Sequence, residues 1–119
     1  MATITATVAR DPFSASMDVW IATWTAMGNA DTGTSVAMAG ASDRSIQIEG
    51  TFGSATVVVQ GSNDGTNWET LHDPLGVGIS KTAACLVQIL ELTRYIRVVT
   101  SGGTGTNLNV NLLLKGMRA

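Results

Sequence analysis

Nine residues near the carboxyl end constrain this chain more than any others. In Asn107-Leu108-Asn109-Val110-Asn111-Leu112-Leu113-Leu114-Lys115 the even positions are apolar and most odd ones polar. That period of two belongs to a strand with one face on a core and the other on solvent or a partner. A helix would scatter the asparagines around its circumference, so the segment predicts a β-strand.

The same alternation recurs upstream. Residues 45–50 place Ile46 and Ile48 on one face and Gln47 and Glu49 on the other. Residues 95–100 set Ile96 and Val98 against Tyr95, Arg97 and Val99. Residues 18–26 carry Trp20, Ala22 and Trp24 on one side, and residues 55–60 are β-branched through Thr56, Val57, Val58 and Val59. Shorter strands are expected at 35–39 and 68–71. Residues 83–92 fit a buried strand or a short helix, and their β neighbours favour strand. Between these segments lie clusters of Gly, Asn, Asp and Ser, which supply left-handed positions and side-chain-capped turns. About eight short strands punctuated in this way predict an all-β fold, an antiparallel β-sandwich of jelly-roll-like form. The first residues alternate weakly (Ile4, Ala6, Val8) and end at Asp11-Pro12. Residues 1–13 are therefore expected to form an extended arm, mobile alone and ordered on a neighbour, and residues 14–119 a single sandwich domain.

Charge is scarce. Charged residues make up 13% of the 119, against roughly a quarter in an ordinary soluble domain. Ser, Thr, Asn and Gly face water instead, a surface that protects a lone monomer poorly against association and favours an assembled state. A net charge of -2 offers no broad basic surface to nucleic acid. The longest uncharged early run, 19–30, falls short of a membrane span, so no membrane partner is expected.

No constellation of residues supports catalysis. Cys85 is the lone cysteine, which excludes an internal disulfide and a thiolate zinc cluster. A Cys85–His72 pair would need an exposed, electropositive thiol, and Cys85 lies in an apolar run instead. The glycine-rich stretch 101–105 joins strand to strand and lacks the helix terminus that makes such loops bind phosphate. The chain is expected to be no enzyme and to carry no cofactor and no metal.

The most specific local signal is Gln60-Gly61-Ser62-Asn63-Asp64-Gly65-Thr66-Asn67-Trp68. Asn63, Asp64 and Gly65 read as a hairpin turn, with Trp68 opening the return strand and packing on the sheet. A calcium site on Asp64, Asn63 and Asn67 would have one carboxylate, too few for that ion. Trp20, Trp24 and Trp68 read as sandwich core before they read as a sugar-binding platform. Tyr95 and Arg97 share a face and are the residue types that anchor interfaces, a surface salt bridge being the alternative. With Ile4 and Val8 of the arm they are the candidate interface residues.

Residues 45–53, the turn-bearing run 55–68 and Arg94-Tyr95-Ile96-Arg97-Val98 together resemble small virion proteins of tailed bacteriophages that decorate or cement the capsid shell. The likeness spans roughly residues 43–115, and the first 42 residues match nothing in that group. A similar turn, tryptophan and Arg-Tyr-Ile-Arg strand occur in discoidin-like β-sandwich modules that bind carbohydrate or lipid. Membership of the virion group would imply a non-enzymatic sandwich, located in the virion after assembly in the host cytoplasm. Its partners would be the major capsid protein and further copies of itself, a trimer by the threefold sites that shells offer. The alternatives are a phage tail structural protein and a carbohydrate-binding module.

Overall fold

The computed structural model describes residues 2–12, 19–37 and 40–116. Its alternating segments form β1 (Thr3–Ile4), β2 (Thr7–Arg10), β3 (Val19–Met27), β4 (Thr32–Gly33), β5 (Asp43–Thr51) and β6 (Thr56–Ser62). They continue as β7 (Glu69–Thr70), β8 (Ser80–Lys81), β9 (Cys85–Gln88), β10 (Tyr95–Ser101) and β11 (Asn107–Lys115). One sheet runs β1-β4-β10-β6-β7, with β8 also on β6, and the other runs β2-β3-β11-β5-β9. All pairings are antiparallel except β1 with β4. This is the expected β-sandwich, and the last two strands sit at the middle of the two sheets.

The core forms where the apolar halves of the alternation face one another. Leu108, Val110, Leu112 and Leu114 of β11, with Ile46 and Ile48 of β5, oppose Val57 and Val59 of β6 and Ile96 and Val98 of β10. All are buried, and each such side chain contributes about 1.5–3 kcal/mol relative to exposure. Trp24 is wholly buried, and its ring lies so close to Gly33 that a β-carbon there would come within 2.6 Å of it. Only glycine fits β4 at that point. The indole Nε1–H donates to the Thr34 carbonyl at 2.9 Å, which satisfies its one polar group.

A bulge in β3 solves a parity problem. Trp24 pairs with Val110 and Met27 with Leu108, so one residue is extra, and Ala26 takes a left-handed φ of 58°. Without that residue Met27 would point to solvent; with it, Met27 is buried.

Several expectations are corrected here. The structure has more strands than eight, because β1, β4 and β8 are two-residue pairings with no periodicity to betray them, whereas β7 falls within the strand expected at 68–71. Within residues 35–39 only Val36 pairs, through a single bridge to Ile96, and residues 38–39 lie outside the described part. The amino-terminal segment is extended but does not project as an arm. Its β1 joins one sheet and its β2 the other. Ala2 N–H donates to the buried Asp31 carboxylate at 3.0 Å, and Ala6 N–H to Thr34 Oγ1 at 2.8 Å. The chain chooses the fold over a neighbour because these backbone groups find partners within it.

Candidate functional site

The β6–β7 hairpin and β10 bring together six of the eight residues singled out from sequence. Asp64 holds the loop. Its Oδ1 accepts from Ser62 Oγ and from the Thr66 and Asn67 backbone N–H groups, and its Oδ2 accepts from Asn67 Nδ2, all within 2.9 Å. Those bonds, led by the Asn67 and Thr66 backbone, hold its carboxyl well below the ordinary aspartate range. A carboxylate so engaged by its own turn has little left for a metal ion. Among the described residues no group of three or more His, Cys, Asp or Glu could hold one.

Asn63 ties the loop to the neighbouring strand, since its Oδ1 accepts from the Arg94 backbone N–H at 2.8 Å. Gly65, with φ 77°, lies over Tyr95, where a β-carbon would come within 3.3 Å of the ring. Tyr95 is thus half-buried beneath the turn, with the Arg94 guanidinium 5.1 Å from its ring centre.

Arg97 points to the same outer face, in register with Gln60. Its Nε–H donates to Gln60 Oε1 at 2.8 Å, and its guanidinium carbon stacks 4.1 Å above the Trp68 ring. Partial desolvation lowers its pKa without discharging it. Among the described residues the terminal nitrogens make no hydrogen bond, so a planar charge is held rigid and offered outward. A planar guanidinium presented in this way matches a carboxylate bidentately.

The three tryptophans do not share one environment, contrary to the reading of all as core. Trp24 is core, Trp20 packs partly against it, and Trp68 lies half-buried on the outer face beneath Arg97. Ile4 and Val8 lie elsewhere. Ile4 packs against the core, and Val8 sits exposed on the β2 edge. Cys85 faces inward, and burial raises its thiol pKa, consistent with an inert cysteine.

Sequence reasoning missed the pairing of His72 with Glu91. The Glu91 carboxylate accepts the His72 backbone N–H at 2.7 Å and also contacts Nδ1 of the ring. Partial burial alone would raise Glu91, but the His72 backbone N–H and imidazole together hold it below its usual range. The pair borders a cavity of about 300 Å³ beside the hairpin, which Asn63, Asn67, Glu69 and Thr93 also line. Nineteen residues apart and in loops, the pair left no local pattern to read.

No protein-family model matches the chain, and no curated protein matches it. Among solved structures it is similar to the SPBc2 prophage-derived protein YomS, with a TM-score of 0.63 and 12% identity over 79% of this chain and 91% of that one. IMPa from Pseudomonas aeruginosa, solved with an O-glycopeptide, gives a TM-score of 0.47 at 19% identity over 82% of this chain and 12% of that one. The K1 adhesin domain of Lys-gingipain from Porphyromonas gingivalis W83 gives 0.43 at 11% identity over 97% and 85%. The first likeness shows the fold, and the other two are too distant to carry an argument.

Proposed function

We propose that this chain is a non-enzymatic structural protein of a tailed-phage particle, a decoration or cement protein that binds the head shell through the outer face bearing Tyr95, Arg97 and Trp68. The observation that carries the reading is the Arg97 guanidinium, stacked on Trp68, fixed by Gln60 and unpaired at its terminal nitrogens among the described residues. Half-buried aromatic and arginine side chains on a rigid strand are what interface hot spots are made of. The scarcity of charge and the prophage origin of YomS, which shares the fold, support the assignment to a particle.

The mechanism is mass action. A protein that binds the assembled shell and not its dissociated subunits shifts the equilibrium toward the shell. The partners are the major capsid protein, which presents a carboxylate to Arg97, and further copies of this chain. A tail component would use the same face against a different partner. The test is Arg97→Glu, which reverses the charge at an outward position and leaves the core untouched. Attachment to purified particles is expected to weaken about 30-fold or more, the equivalent of a hot spot of ~2 kcal/mol, with the melting temperature nearly unchanged. Undiminished attachment, or a particle reconstruction with Tyr95 and Arg97 on open water, overturns the reading.

One observation favours a second reading, a carbohydrate-binding module. The cavity beside the hairpin is lined by amide, carboxylate, imidazole and hydroxyl groups, the donors and acceptors that sugar hydroxyls need. Binding of the intact protein to glycans, abolished by Glu69→Ala and unaffected by Arg97→Glu, would transfer the assignment to that module.

A further inference from the structure

The second sheet ends at β9, and among the described residues no strand pairs with its outer edge. Ile89 donates its N–H to the Arg44 carbonyl at 3.0 Å, which fixes the parity of the β5–β9 ladder. Residues 44 and 89 are a hydrogen-bonded pair, so Ile46 with Val87 and Ile48 with Cys85 are hydrogen-bonded pairs as well. The intervening residues Ala84, Leu86 and Gln88 therefore turn their N–H and C=O groups away from β5. Leu90, next in that series, behaves accordingly. Its N–H ignores β5 and donates to the His72 carbonyl at 2.8 Å.

Sheet edges are ordinarily protected by charge, proline, a bulge or a covering loop. The opposite edge of this sheet, β2, carries Arg10 and stops at Pro12. Residues 82–90 contain no charge, no proline and no glycine. The Leu86 side chain, on the outer face opposite Gln47, is 66% exposed.

We propose that β9 pairs with β9 of a second copy of this chain, antiparallel across a twofold axis at Leu86. That register sets Ala84 of one copy opposite Gln88 of the other and Leu86 opposite its twin, so every outward backbone group between 84 and 88 finds a partner. Shifting the axis by one residue leaves some of them unmatched. Because the strand is uncharged, self-pairing brings no like charges together. The Leu86 side chains then cover one another on the outer face, and two five-stranded sheets become one continuous sheet. A twofold contact is self-complementary by construction, which a single bare edge can supply. The proposal is independent of shell binding, which uses the other sheet. It also replaces the trimer expected from shell symmetry with a dimer.

The test is sedimentation of the intact purified protein alongside Leu86→Pro and Leu86→Lys. Leu86→Pro removes an N–H that β5 does not use, so the monomer keeps its ladder. Leu86→Lys keeps the backbone and sets two ammonium groups face to face at the axis. The parent is expected at twice the monomer mass and both variants at the monomer mass, with the Leu86→Lys monomer still showing the parent's β-sheet circular dichroism. A parent that stays monomeric up to its solubility limit, or any oligomer that persists in Leu86→Lys, overturns the pairing. Loss of shell attachment by Arg97→Glu without loss of the dimer separates this proposal from the shell-binding one.

Discussion

Asp64 shows how much a single exposed residue can organise. Its carboxylate accepts the bonds that shape the hairpin, and Gly65 beside it seals Tyr95. The carboxyl is depressed in the folded chain relative to the unfolded one. Its stabilising effect is therefore complete above the unfolded value of about 3.9 and disappears as pH falls through the folded value. Glu91, depressed in the same sense, adds to the effect, so acid should loosen the hairpin and the His72 contact together. Asp64→Asn is expected to lower the melting temperature at neutral pH and to flatten its fall below about pH 4, as read by thermal melts across that range. An unchanged acid slope would deny Asp64 this role. At this scale the sequence was informative wherever chemistry is local. Asn-Asp-Gly names its own turn, and Tyr95 and Arg97 declare a shared face by spacing. The stacking of Arg97 on Trp68 was not legible, because it depends on a register between strands that no local pattern encodes.

Elements were legible in proportion to their length. β11, β5, β3, β6 and β10 fall within a few residues of the periodic segments, since each repeats its alternation often enough to be seen. β1 and β2 escaped because weak alternation beside Asp11-Pro12 looks the same whether the segment projects or lies down. The structure gives that segment a definite task, one edge strand in each sheet. Deleting residues 1–10 is therefore expected to destabilise the domain by several kcal/mol, through lost ladder bonds, the lost packing of Ile4 and an uncovered Trp20. Asp31→Ala, which frees only Ala2 and Gly28, should have a smaller effect in the same direction. Denaturant melts of the two variants check this. A deletion variant as stable as the parent would restore the segment to the status of a loose arm.

At the scale of the whole molecule, a sandwich was expected from the many short strands and turn clusters, but the strand order was not, since pairing across a hundred residues leaves no mark on either partner alone. That order sets a schedule. β3 and β5 meet only through β11, and β4 and β6 only through β10. In chain order each seam therefore comes after the strands that it joins. A nascent chain short of Asn107 already carries Trp24, Ile46 and Ile48, yet has nothing to join the strands that hold them. Ending the chain at Thr106 should accordingly give a product without a cooperative melting transition, detectable by calorimetry, rather than a slightly weakened domain. Until β11 arrives, β2–β3 and β5–β9 are two separate ribbons with no strand between them, so the rate of folding is set by pairings that span most of the chain.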